Sequence, residues 1–271
     1  MGSNITVAVE CALAKETKPF IDRMDNVEHE RRSGVDIAVG EYQGVRLVVG
    51  EGGMGTVSAG AAAQLLIDRY EPDYLIFSGI AGGLNPGLRV GDIVLGGQLH
   101  YLETNTPIIA ECAPWLEHFA SDGELMDIAL AVMEERGWHR IPSLREQAAG
   151  PDSVRFGENG IENNELTDVA ANGRRFVCGT IATSDQFNTD PEILETIRTT
   201  VYGDCEEMEG AAAAHICAKS EVPFLGIRAL SNQCGESYES LDDHENDLYD
   251  AANAAAAIAM GVIDVIARQR R

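Results

Sequence analysis

Basic side chains are scarce in this chain: 20 Lys and Arg stand against 44 Asp and Glu, a formal charge of −24. A nucleic-acid backbone or an anionic membrane repels such a surface, so neither is an expected partner, and a small-molecule ligand fits better. No run of about 18 apolar residues is found, and the N-terminus lacks a basic stretch leading into an apolar one, which makes a cytoplasmic location the expectation. The six cysteines, Cys11, Cys112, Cys178, Cys205, Cys217 and Cys234, show no C-x-x-C spacing and mostly sit in apolar segments. They read as reduced core thiols, not as disulfides or a metal site. Histidine offers no H-x-H or H-E-x-x-H pattern either. His215 falls on an Ala-rich helix as a core or interface residue, and His244 lies in an acidic run that reads as a solvated turn. No metal and no cofactor are expected.

What is there is a chain of 271 residues, 45% of them hydrophobic, which can bury a substantial core. Asn4–Glu10 alternates and is rich in β-branched residues, a first strand followed by a loop or first helical turn before Pro19. Gly34–Gly50 reads as a hairpin turning around Tyr42-Gln43-Gly44. An Ala-rich helix runs to Tyr70, Asp73–Ser78 is a continuous apolar strand of the kind covered on both faces, and Gly79–Gly83 reads as a glycine turn. Gly123–Arg136 has apolar residues at helical spacing, Phe176–Ala182 and Val222–Arg228 are strands, and Leu248–Arg268 is a closing helix. Strands alternating with helices give an α/β architecture of three layers, a mixed, mostly parallel twisted sheet flanked by helices. No linker divides the chain, so residues 1–271 are expected to form a single domain with an extended insertion near 103–175; Pro142 to Asn172 within it has no clear period.

In such sheets chemistry collects where strands end. Glu16 is the carboxylate of the first strand–helix loop, although alone it reads more simply as a first-turn acid that complements the helix dipole. Gly50–Gly55 matches G-x-G-x-x-G but follows the third strand, and no acidic residue ends a suitable second strand about 20 residues on. It reads instead as a loop where backbone approaches a small ligand, with Thr56 as a cap for the next helix. Phe187, among polar residues at a strand end, either stacks on a planar ligand or folds onto the core. Glu206, Glu207 and Glu209 precede an Ala-rich helix, a placement that suits either a cap or a site.

Four separated stretches carry a resemblance. They are the first strand with Ala12-Leu-Ala-Lys-Glu16; Gly50-Glu-Gly-Gly-Met-Gly55 with Ser78-Gly-Ile-Ala-Gly-Gly-Leu-Asn-Pro-Gly-Leu-Arg-Val-Gly-Asp-Ile-Val94; Thr183-Ser-Asp-Gln-Phe187; and Glu207-Met-Glu-Gly-Ala-Ala212 with Val222-Pro-Phe-Leu-Gly-Ile-Arg-Ala-Leu-Ser-Asn232. In this order they resemble the nucleosidase branch of the nucleoside phosphorylase/nucleosidase superfamily, closest to the methylthioadenosine/S-adenosylhomocysteine nucleosidases. The resemblance implies that the chain hydrolyses the N-glycosidic bond of a purine nucleoside, with Glu16 as the base that activates the attacking water. It implies that Glu209 holds the ribose 2′- and 3′-hydroxyls, Met208 lies against the sugar and Phe187 stacks on the base, with Ile80, Gly82 and Ser231 also lining the substrate. Glu206 and Glu207 are left as structural. A homo-oligomer, with a dimer favoured, is implied as well.

Two departures from the family's pattern bear on substrate. Asn232 stands where the adenine-specific nucleosidases have an aspartic acid that gives N7 a proton; an amide donates hydrogen bonds to N7 and to a 6-oxo group but transfers no proton. A 6-oxopurine, or another base that leaves with hydrogen-bond help, is therefore the expected leaving group, with Asp185 as a candidate substitute acid. Ile80 stands where a small hydroxyl residue is common, leaving the positioning of water open. Two alternatives remain. A phosphorylase would place guanidinium groups in the first strand–helix loop and before the glycine turn, yet those places read Cys11-Ala-Leu-Ala-Lys15 and Phe77-Ser-Gly79. A nucleoside-binding protein on the same fold would bind without turnover.

Overall fold

The computed structural model describes residues 5–150, 173–237 and 245–269. Its centre is β1 (Thr6–Cys11), whose six residues are all buried. Val7, Val9 and Cys11 face one apolar cluster and Ala8 faces another, so a strand with both faces covered reads as an unbroken apolar run. β1 pairs in parallel with β4 (Val45–Glu51) and with β5 (Tyr74–Gly83). Beyond β4 lie the antiparallel β3 (Val35–Tyr42) and β2 (Asp25–Arg32). β3 and β4 form the expected hairpin, whose turn residues Gln43 and Gly44 have φ of 51° and 85°.

β2 was not expected, because Asp-Asn-Val-Glu-His-Glu-Arg-Arg is largely exposed and carries no apolar alternation.

On the other side the sheet closes on itself. β5 pairs in parallel with β10 (Phe224–Gln233), β10 antiparallel with β6 (Ile93–Tyr101), and β6 in parallel with β8 (Arg175–Thr183). β8 pairs in parallel with β9 (Gly203–Glu207), and β9 returns antiparallel to Gly82 and Gly83 of β5. The short β7 (His139–Arg140) adds to β8. Gly79–Gly83 is thus strand, not turn. Glycine is used there for clearance: a Cβ on Gly82 would lie 2.7 Å from Cys234 Sγ, and one on Gly83 would lie 2.7 Å from Gln233 Oε1.

Helices cover both faces. α1 (Ala14–Ile21), α4 (Gly123–Glu135) and α8 (Glu245–Gln269) contribute to one cluster, and α2 (Thr56–Tyr70) and α7 (Gly210–Lys219) to the other, giving the three expected layers. The apolar stripe of α4, Leu125, Met126, Ile128, Ala129, Val132 and Met133, is buried core. Within the expected insertion lie α3 (Thr106–Ile109), α4, β7 and α5 (Leu144–Ala149). α6 (Pro191–Thr200) follows β8. By length and composition α8 could cross a bilayer, but 67% of its apolar window is buried against the sheet, as in a core helix. All six cysteines are free. His215 stacks on Phe119 at 4.7 Å. His244 and most of the aperiodic stretch 142–172 lie outside the described residues.

Candidate active site

Glu16, Ile80, Gly82, Phe187, Met208, Glu209, Ser231 and Asn232 line one cavity of about 310 Å³, the lower end of the range for small-molecule sites. Asp185 is not among its walls. It lies on the surface at the start of α2, where its two oxygens accept hydrogen bonds from Thr56 N (2.7 Å) and Thr56 Oγ1 (2.6 Å). A carboxylate at a helix N-terminus is favoured by the dipole. Thr56 is therefore the first residue of α2 and not its cap, and the capping group comes from 129 residues away.

Backbone amides fix the charged end of the cavity. Glu16, 4% exposed, accepts from Ala12 N and Leu13 N on Oε2 and from Ile80 N on Oε1, each at 2.9 Å. Burial raises its pKa, while Arg228 and the three N–H groups hold the rise back. A Cβ on Gly79 would stand 2.7 Å from Glu16 Oε1 and 2.9 Å from Arg228 Nη1, so these two groups face each other over the glycine. Arg228, beside Gly79 in the β5–β10 register, is 1% exposed and has Phe77 against its guanidinium at 4.2 Å. Its Nε and Nη2 donate to Glu207 Oε2, and Nη2 lies 4.0 Å from Glu209. Burial alone would favour the neutral form, but Glu207 and Glu209 outweigh it and hold the charge. Arg228 Nη1 has no hydrogen-bond partner among the described residues.

Glu206 and Glu207 end β9 and do not belong to the helix; Glu209 is the N-cap residue just before α7. Glu207 takes Thr183 Oγ1 (2.5 Å) and the amides of Glu209 (3.1 Å) and Gly210 (2.7 Å). Glu209 Oε1 accepts from Gly55 N at 2.9 Å and Oε2 from Met208 N at 3.3 Å. Gly52 N and Gly53 N donate to Cys11 O and Ala12 O, so the glycine loop braces Glu16's segment and Glu209. Burial, and then Glu207, push Glu209 up to about 7. Glu10 is fully buried next to this cluster, and neither of its oxygens finds a partner among the described residues. Burial first and Glu209 second raise its pKa well above the usual range, which favours the neutral acid.

The other end is built from side chains. The β5–β10 register shifts between Leu230 and Asn232, and this irregularity lets the consecutive Ser231 and Asn232 both face the cavity. Ser231 Oγ donates to Asn232 Oδ1 at 3.1 Å, and Asn232 Nδ2 donates to Gln233 O at 3.1 Å, leaving one N–H for a ligand. Phe187 is 42% exposed at the cavity wall and Met208 half-buried. Glu206 also lines the cavity, 8% exposed, its Oε1 accepting from Asn188 Nδ2. Arg228, Glu10 and the placement of Glu206 escaped the sequence reading. An arginine and a glutamate inside otherwise apolar strands were the available signals.

Among the described residues no cluster of His, Cys, Asp or Glu suits a metal ion. The chain is 30% identical over 257 residues to the 5′-methylthioadenosine/S-adenosylhomocysteine nucleosidase of Tolumonas auensis, covering 93% of this chain and 96% of that one. It is likewise 30% identical over 239 residues to the enzyme of the same name from Bacillus subtilis, covering 87% and 90%. The crystal structure of the corresponding nucleosidase from Neisseria meningitidis, in complex with methylthio-immucillin-A, superposes with a TM-score of 0.76 at 26% identity, covering 95% of this chain and 98% of that one. The profile of the phosphorylase superfamily matches residues 6–266, and the chain belongs to that superfamily.

Proposed function

We propose that the protein hydrolyses the N-glycosidic bond of a purine nucleoside. The observation that carries this reading is the cavity whose lining gathers Glu16, Met208, Glu209, Phe187 and Asn232, with Arg228 Nη1 near Glu16 Oε1 over Gly79. A water in the cavity would donate to Glu16, whose carboxylate the amides of Ala12, Leu13 and Ile80 hold in place; Ile80 has no hydroxyl to give. As the bond to C1′ breaks and charge develops on the sugar, the water oxygen attacks C1′ and its proton passes to Glu16. A base with a raised pKa is the better proton acceptor, provided it is ionised. Glu209 accepts hydrogen bonds from the ribose hydroxyls, Met208 packs on the sugar, and Phe187 stacks on the base.

Relatives named for 5′-methylthioadenosine and S-adenosylhomocysteine support a purine nucleoside as the substrate class. The free N–H of Asn232 favours a 6-oxopurine, because a 6-oxo group accepts it and a 6-amino group does not.

Phosphorolysis would need guanidinium groups open to the cavity. Among the described residues the basic side chain of its wall is Lys15, whose ammonium lies 5.4 Å from the Tyr249 ring, while Arg228 is committed to Glu207. Base release from inosine and adenosine, with and without inorganic phosphate, tests the reading. The expected outcome is release that phosphate does not accelerate, faster with inosine. A rise of about tenfold or more with phosphate would replace hydrolysis by phosphorolysis, and a strong adenosine preference would refute the base assignment.

A further inference from the structure

A purine leaves the sugar readily only when a proton reaches it, and the amide of Asn232 has none to transfer. The β-sheet brings one further group to the same place. Gly82 of β5 is the register partner of Asn232 on one side and of Glu206 on the other. A Cβ there would lie 2.7 Å from Cys234 Sγ and 3.6 Å from Asn232 Nδ2, so these two side chains converge over this glycine. Glu206 lines the cavity with Asn232 and Phe187, and its Oε2 lies 3.8 Å from Cys234 Sγ.

We propose that Glu206 is the general acid of the reaction, protonating a ring nitrogen of the departing base while Asn232 recognises its 6-oxo edge. The assignment rests on the nucleosidase reading. The glycosidic electron pair goes to the base, the Glu206 O–H bond breaks toward the ring nitrogen, and the carboxylate formed is received by Asn188 Nδ2. The water oxygen bonds to C1′ with its proton on Glu16, and solvent returns a proton to Glu206 after product leaves. Its surroundings suit the role. Burial pushes Glu206 up to about 7, the Asn188 hydrogen bond opposes that rise, and Glu103 and Glu207 add to it as like charges. The thiol of Cys234, just past the end of β10, faces it.

The test compares wild type, Glu206→Gln and Glu206→Asp on inosine and on p-nitrophenyl riboside, whose leaving group departs without a proton. Wild-type kcat on inosine is expected to fall as pH rises through about 7. Glu206→Gln is expected to lower the inosine to aryl-riboside ratio of kcat by about 100-fold and to abolish that alkaline limb, with Glu206→Asp intermediate. A ratio that falls by less than about tenfold in Glu206→Gln, or falls equally in both variants, overturns the proposal. If wild type cleaves neither substrate without phosphate, it is the nucleosidase reading that fails.

Discussion

The two ends of the cavity are held by different means. At the water end every oxygen of Glu16 and Glu209 that has a partner is gripped by backbone amides, those of Ala12, Leu13, Ile80, Gly55 and Met208. At the other end contacts between side chains enter, Asn188 to Glu206 and Ser231 to Asn232, beside the bond of Asn232 Nδ2 to Gln233 O. A backbone amide survives almost any substitution of its residue, whereas a side-chain contact is lost or altered by one. Glu16 and Glu209 are thus anchored in the main chain, whereas Glu206 and Asn232 depend more on exchangeable side chains.

Breaking the water end is expected to have the largest effect. Glu16→Gln keeps the shape but not the basicity, and kcat is expected to fall by about 10²–10⁴. In wild type, kcat/KM should decline as pH drops through the Glu16 pKa, on the acid side and above the ordinary 4.5, since burial raises it and only the ionised form accepts a proton. A Gln variant within tenfold of wild type would remove Glu16 as the base.

Arg228→Leu should destabilise the fold by about 3–5 kcal/mol in urea unfolding, because it strands Glu207 as an unpaired buried charge. A loss under about 1 kcal/mol would show that the amides alone hold this end. The smallest effect is expected at the base end. Phe187→Ala should raise KM by about 2–12-fold, the equivalent of one stacked pair, with kcat almost unchanged. An unchanged KM would return Phe187 to the role of a loop residue.

Much of this was legible in the chain. The apolar run of β1, the Gln43-Gly44 hairpin turn and the stripe on α4 are local patterns, and each forms the expected element. The cavity walls were legible through the resemblance, because Glu16 and Met208-Glu209 stand in recognisable motifs. What stayed hidden depends on partners remote in sequence. Gly79–Gly83 reads as a turn until Glu16, Arg228, Cys234 and Gln233 are seen to need the space of a side chain. β2 is a strand because β3 offers an edge, not because its own residues prefer to be one. Glu206 and Glu207 look alike in sequence, yet the alternation of a strand sends Glu206 to Asn188 and Glu207 to Arg228. Asp185 reads as an acid near the base until its tie to Thr56 is seen.

That tie has a geometric meaning. Gly55 N holds Glu209 and the next amide, Thr56 N, holds Asp185, two residues before Phe187. Glu209, proposed to clamp the sugar, and the loop of Phe187, proposed to stack on the base, are thus hung from neighbouring pegs at the tip of a single helix. The first turn of α2 therefore ties the position of Glu209 to that of the Phe187 loop.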